Sequence, residues 1–326
     1  MNDGNSKFVL AVPSKGRLQE NAASFFARAG LNVVQGRGVR DYRGSLAELP
    51  DVEIAFLSAG EIVQQLASGA VHMGVTGEDL VREQAGDAAG QMELLTPLGF
   101  GHANVIVAVP QAWIDVRTMA DLEDVAAAFH ARRGARMRVA TKYVNLTRRF
   151  FAQTGVTDYR IVESLGATEG APAAGGAELI VDITTTGATL RANALKVLDD
   201  GVILRSEANL VASLNANWCE ANKQRAGAIL SRIAAEENAR TSRIVRAQAP
   251  KARELAEQAM PQFGANAIYG LEAASELSLA CPRANAAALA GWLIERGAQH
   301  VSVSAPEYIF SARNELSEKL ARRIGA

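Results

Sequence analysis

ELIVDITTTGATLRANALK, Glu178 to Lys196, is the stretch from which the rest of the chain can be placed, and it has three parts. Glu178 to Ile183 is a short β-branched, apolar run that closes around an acid, Asp182, and predicts a strand. Thr184, Thr185, Thr186, Gly187 and Thr189 follow, with Ala188 between the last two. Leu190, Ala194 and Leu195 then set the spacing of a helical stripe. The order is strand, polar turn, helix start. Backbone N–H groups at a helix start are unpaired and carry partial positive charge, which suits a phosphate. Successive hydroxyls add donors, and Gly187 lets the backbone come close. Asp182, at the strand's end, is placed to accept hydrogen bonds from a neighbouring pair of sugar hydroxyls. Two readings stay open at this point: a site for a phosphorylated sugar, and a Thr-rich turn that caps a helix.

The bulk numbers set the frame around this stretch. A chain of 326 residues is too long for one compact core and predicts two or three domains. Its 34 basic and 35 acidic residues leave a net charge of −1, so no global field draws in nucleic acid or an anionic membrane. An anionic ligand must meet local basic clusters instead. No apolar run approaches the length of a membrane span, and the N-terminal run of five is short for a signal peptide. Cys219 and Cys281 lie far apart with no metal-ligand spacing, as expected of reduced thiols in a cytoplasmic protein. The four histidines, His72, His102, His130 and His300, show no ligand spacing either.

From the N-terminus, Phe8 to Val12 predicts a strand, Pro13 to Arg17 a turn, and Leu18 to Ala29 a helix stopped by Gly30. Lys15 and Arg17 thus stand where a strand hands over to a helix, a ligand-binding edge in open α/β sheets, or else are two solvated cations. Arg37, Arg40 and Arg43 form a basic loop. Val52 to Leu57 is the next strand, and Ser58 and Glu61 have the spacing of a capping box for the helix that Gly69 stops. Val71 to Thr76 is a strand that opens at Gly77 into a helix, with Glu78 and Asp79 complementing its dipole or assisting a metal or a base. Asn104 to Val109 is a strand, Asp121 to Phe129 a helix and Arg138 to Thr141 a strand. Lys142 to Asn145 turn into a helix with Asn145 as N-cap. Val202 to Ser206 and Leu210 to Ser213 are strands expected to return to the first lobe. A polar helix, Trp218 to about Ala239, leads to a strand (Arg243 to Ala247), a helix (Lys251 to Met260), and strands at Ala267 to Leu271 and Ser275 to Cys281. A helix (Asn285 to Arg296) and a strand (Val301 to Ala305) complete a βαββαβ, ferredoxin-like order, before a tail helix, Ala312 to Ile324.

Five stretches, in this order, resemble the ATP phosphoribosyltransferases that open histidine biosynthesis: VLAVPSKGRLQENAASFFARAGL (Val9 to Leu31), VEIAFLSAGEIVQQLASGAVHMGVTGEDLV (Val52 to Val81), RVATKYVNLTRRFF (Arg138 to Phe151), ATEGAP (Ala167 to Pro172) and DITTTGATLRANALK (Asp182 to Lys196). The likeness is close over residues 8–215 and looser beyond. It implies an α/β fold of two periplasmic-binding-protein-like (type II) lobes with a C-terminal ferredoxin-like, ACT-like domain. Residues 1–107 and 197–225 would form the first lobe, 108–196 the second, and 240–326 the ACT-like regulatory or assembly domain. The implied reaction joins N1 of the adenine of ATP to C1 of phosphoribosyl diphosphate (PRPP) and expels pyrophosphate, with Mg²⁺ as cofactor. Adenine N1 already carries a lone pair, so no nucleophilic triad is needed. By resemblance, Asp182, Thr184, Thr185, Thr186, Gly187, Ala188 and Thr189 bind PRPP. Lys15, Gly16, Arg17, Glu78 and Glu169 serve ATP, with Lys15, Arg17 and Asp182 in the catalytic set. The likeness further implies histidine as feedback inhibitor and a homo-oligomer, dimer to hexamer. Ser58 departs from some members of the family, which carry Arg there, and His72 departs from the family's usual Asp; His72 is expected to be a surface change. Readings of another kind are a solute-binding or sensor module of the same architecture, and a non-catalytic regulatory paralogue.

Overall fold

The computed structural model describes residues 7–35, 42–84, 90–164, 166–268 and 275–325. Arg37, Arg40 and the end of the strand expected at Ala267 to Leu271 lie outside them. Along the chain run β1 (Phe8–Pro13), α1 (Gly16–Arg28), β2 (Val33–Gln35), β3 (Arg43–Leu46), β4 (Leu49–Leu57), α2 (Ala59–Ser68), β5 (Met73–Gly77), α3 (Glu78–Gln84), β6 (Met92–Pro97) and β7 (Ala103–Pro110). Next come α4 (Met119–Arg133), β8 (Met137–Thr141), α5 (Val144–Gln153), β9 (Tyr159–Glu163), β10 (Leu179–Thr184), α6 (Ala188–Ala192), β11 (Leu195–Ser206) and β12 (Ala208–Ser213). The last elements are α7 (Glu220–Thr241), β13 (Ser242–Gln248), α8 (Ala252–Phe263), β14 (Asn266–Ala267), β15 (Glu276–Pro282), α9 (Ala286–Glu295), β16 (Gln299–Ser304) and α10 (Glu315–Ile324).

Two compact units are formed: residues 1–24, 34–46 and 50–218 in one, residues 25–33, 47–49 and 219–326 in the other. The first unit holds two sheets. One has the order β2-β3-β4-β1-β5-β12-β6, with β1 parallel to both β4 and β5 and β12 antiparallel to β5 and β6. The other has the order β11-β7-β10-β8-β9, with β10 parallel to β8 and antiparallel to β7. Central parallel strands are covered on both faces and so become continuous apolar runs, as FVLAVP in β1 and LIV at the start of β10 are. The chain changes sheet between Pro97 and Ala103 and again between Ser206 and Ala208. Val202 to Ser206, expected in the first lobe, instead pair with β7 in the second sheet; alternation cannot say which sheet a strand joins.

Local signals account for both ends of α2. Ser58 and Glu61 make the reciprocal capping box of α2, and Gly69 closes that helix at φ 79°. Asn145 is not the N-cap of α5. It lies inside the helix, and its N–H and that of Leu146 donate to the Glu83 carboxylate of α3 at 2.8 and 2.9 Å. His72 is not a surface change. It is 4% exposed and stacked on Phe8, its Nδ1 accepts from the Val9 N–H, and its Nε2 donates to the Asn217 carbonyl.

In the second unit, β13, α8, β14, β15, α9 and β16 follow one another as expected, in the antiparallel order β14-β15-β13-β16. That is the ferredoxin-like arrangement, and Val245, Leu255, Leu277, Leu279, Leu289 and Leu293 fill its core. The tail helix α10 starts at Glu315, not Ala312, because the Asn314 side chain caps it.

Candidate active site

The carboxyl ends of β8 and β10 define one edge of the second sheet, where parallel α/β sheets hold ligands. β10 reaches that edge because Arg138 and Glu178 clamp its start to β8. The guanidinium donates to the Glu178 carboxylate at 2.7 and 3.2 Å, and the Arg138 N–H adds a bond of 2.6 Å. The turn after β10 is closed from within. Thr184 Oγ1 accepts from the Gly187 N–H at 2.9 Å, and Thr185 donates to the His102 carbonyl at 3.0 Å. Gly187 sits at φ 70°, a left-handed conformation that glycine adopts without strain.

Beyond the turn the expected helix is short. α6 ends at Ala192, Ala194 takes φ 51°, and Leu195 already belongs to β11. Leu190 and Leu195 are both buried, so the apolar spacing is served by one helical turn and a strand rather than by one helix. The first backbone bond of α6 runs from Arg191 N–H to the Gly187 carbonyl, which leaves the N–H groups of the preceding residues without a partner inside the helix.

This turn lines a pocket of about 390 Å³ with Glu169, Asp182, Ile183, Thr184, Thr185, Thr186, Ala188, Thr189 and Leu190. Glu169 enters on a short 3₁₀ turn, Thr168–Gly170, that follows Ala167 at φ 49°. Left-handed backbone in a residue with a Cβ stores strain, and such strain gathers at ligand sites. Asp182 is half-buried, and its Oδ1 accepts from the Ile183 N–H at 2.8 Å. Burial pushes its carboxyl above the usual range; the Ile183 bond and the Lys142 charge pull it back, and the Glu169 charge adds to the rise.

The expected site residues fall into two groups. Asp182, Glu169 and the threonines come together in the pocket. Lys15, Gly16 and Arg17 do not line it; they follow β1 at the edge of the first sheet, where Ser14 N–H bonds the Leu57 carbonyl. There the Ser58 hydrogen bonds, helped by the Lys15 charge, hold the Glu61 carboxylate below its usual range. Glu78 also stands outside the pocket and pairs with Arg82 at 2.6 Å. Asp79 is buried: it accepts from the Tyr143 hydroxyl at 2.6 Å and from Ser206 Oγ at 3.0 Å. Those three residues come from α3, the turn before α5, and the end of β11, so they join the two sheets of the unit. No spacing in the sequence marks Tyr143 and Ser206 as partners of Asp79.

A model of the family described as HisG, ATP phosphoribosyltransferase, matches residues 58–235. The chain is 60% identical to the ATP phosphoribosyltransferase of Nitrobacter winogradskyi over 97% of its own length and 98% of that protein. It is 58% identical to that of Bradyrhizobium diazoefficiens, over 97% and 98%. The chain belongs to the ATP phosphoribosyltransferase family. Among solved structures, the ATP phosphoribosyltransferase HisG:HisZ complex of Thermotoga maritima aligns with TM-score 0.52 at 23% identity, covering 69% of this chain and 96% of that one. That likeness is one of fold, and it agrees with the two-lobed α/β architecture of the transferase family. The family match spans the whole second sheet of the first unit, strands β5, β6 and β12 of its first sheet, and much of α7.

Proposed function

We infer that the chain transfers the 5-phosphoribosyl group of PRPP to N1 of the adenine of ATP, releasing pyrophosphate, as the first step of histidine biosynthesis. The observation that carries this is the 60% identity to an ATP phosphoribosyltransferase across 97% of the chain. The pocket supports a division of labour. The Thr184 to Thr189 turn takes the 5-phosphate, with Gly187 and Ala188 bringing the backbone close. Asp182 accepts from the ribose hydroxyls, and Glu169 lies on the same wall. N1 is the nucleophile, so the protein's task is to align it behind C1 and to stabilise charge on the departing pyrophosphate. Lys15 and Arg17, with the Gly16 backbone, would meet polyphosphate charge from the first sheet; the ion pair of Glu78 with Arg82 gives Glu78 a structural share.

Among the described residues no group of three or more His, Cys, Asp or Glu side chains could hold a metal. Glu169 and Asp182 fit a Mg²⁺ that arrives on the substrate, since this ion keeps waters and takes one or two carboxylates plus phosphate oxygens. Bound there, it would neutralise charge on the leaving pyrophosphate. No helix of the described residues is long and apolar enough to cross a membrane.

Incubation with ATP, PRPP and Mg²⁺ tests the reading. Phosphoribosyl-ATP and pyrophosphate should form in equal amounts. Binding of both substrates without turnover would favour a regulatory paralogue, and binding of neither would overturn the assignment.

A further inference from the structure

The pocket's turn spends part of its hydrogen bonding on itself. The Gly187 N–H donates to Thr184 Oγ1 at 2.9 Å, and the Ala188 N–H donates to Thr186 Oγ1 at 3.4 Å. A hydroxyl that accepts in this way keeps its own proton to give, so Thr184 and Thr186 can still donate to a ligand. These donors are neutral. A phosphate monoester carries about two negative charges, and the described residues that line the pocket include two carboxylates, Glu169 and Asp182, and no basic side chain.

Two basic residues follow the turn closely, Arg191 and Lys196. Lys196 is engaged elsewhere: its Nζ donates to the Trp113 and Ile114 carbonyls at 2.6 and 3.3 Å. Arg191 is folded back onto the turn. Its backbone N–H donates to the Gly187 carbonyl at 3.0 Å, and its guanidinium Nη1 donates to the Thr186 carbonyl at 3.2 Å. A Cβ on Gly187 would stand 3.1 Å from the same Nη1, so the guanidinium lies over the bare Cα of that glycine. Thr186 and Ala188, on either side of Gly187, both line the pocket.

Arg82, Arg117 and Arg138 of the same unit each hold a carboxylate. Arg191 is exposed and, among the described residues, has no carboxylate partner. A guanidinium has five N–H donors in a fixed fork, so one bond to Thr186 orients it and leaves the others for an anion.

We propose that Arg191 is the binding cation of this turn: anchored on the Thr186 carbonyl, its guanidinium donates to the 5-phosphate of PRPP, beside the hydroxyls of Thr184 and Thr186. The proposal rests on the reading of this turn as the PRPP site.

Initial-rate kinetics on the full chain test it, with ribose 5-phosphate as a probe that carries the 5-phosphate and lacks the diphosphate. In Arg191→Met, the KM for PRPP and the inhibition constant of ribose 5-phosphate against PRPP should both rise about tenfold, with the KM for ATP unmoved. Arg191→Lys, which keeps the charge, should recover most of the loss. Added salt should raise the PRPP KM of the wild type more steeply than that of Arg191→Met, a difference that a merely structural role would not produce. Unchanged melting curves would show that both variants are folded. Wild-type constants for PRPP and ribose 5-phosphate in Arg191→Met overturn the proposal and leave the PRPP reading standing. Equal losses in the Met and Lys variants also overturn it, because the charge would then have no part in binding. If ribose 5-phosphate fails to compete with PRPP in the wild type, the assignment of the turn to the 5-phosphate falls, and the proposal with it.

Discussion

At Asp182 a carboxylate is half-buried, faces a second carboxylate, and titrates above its usual range because burial penalises its charge. An ionised carboxylate is the form that accepts from hydroxyls. PRPP binding should therefore weaken as pH falls through that raised value, and the dependence should vanish in Asp182→Asn. Losing a charge-assisted bond costs about 1.5–3 kcal/mol, so Asp182→Asn should raise the PRPP KM about tenfold or more with ATP binding unchanged. Initial-rate kinetics on the folded variant check both points. Gly187 is a different case. An added Cβ would stand 3.1 Å from Arg191 Nη1, the movable end of a side chain, so space is not the obstacle. The obstacle is φ 70°, where a Cβ costs about 1–2 kcal/mol. Gly187→Ala should shift the turn, lower turnover with PRPP sharply, and leave the melting temperature within a few degrees.

The elements are tied by carboxylates at their ends. Glu83 of α3 caps α5 through two N–H groups, and the Asn145 side chain returns a bond to the Glu83 carbonyl at 2.9 Å. Glu83→Ala should cost about 1 kcal/mol, read as a lower denaturant midpoint with the slope unchanged. The Arg138–Glu178 clamp fixes the start of β10. Burial raises the Glu178 carboxyl, but the Arg138 bonds outweigh it and hold the pKa below the usual range. A carboxylate with a depressed folded pKa adds stability above its unfolded pKa and loses it as pH falls through the folded one. The stability gap between the wild type and Arg138→Gln should accordingly be full at neutral pH and close on acidification, which denaturation at a series of pH values would show.

For the whole molecule, the second unit carries the ferredoxin-like sheet, whose outer strands among the described residues are β14 and β16. Val303 on β16 is 46% exposed and Ile294 on α9 is 59% exposed, an arrangement that favours pairing with another chain. We expect a homo-oligomer that binds histidine and loses activity on binding it. Sedimentation should give a mass above 34.5 kDa, and a histidine titration followed by calorimetry and by turnover should show both effects. Because α7 and residues 25–33 belong to the second unit, cutting the chain near Glu237 would divide that unit rather than release it. The full chain is the proper subject of this test.

Some of this protein was legible in its sequence because the causes are local. The strand of Glu178 to Ile183, the capping box at Ser58 and Glu61, Gly30, Gly69 and Gly187 at positive φ, and the βαββαβ order each follow from side chains within a few residues of one another. Asp182 and the threonines were recognisable as a site for the same reason: one strand end and one turn hold them. Other features depend on groups distant in sequence. Glu83 replaces Asn145 as the cap of α5, His72 is buried against Phe8 and Trp218, and Val202 to Ser206 join the second sheet. Asp79, Tyr143 and Ser206 meet across 127 residues of chain. Periodicity fixes which face of a strand is buried, but hydrogen bonding between strands decides its neighbours, and that pairing is settled only when the whole unit packs.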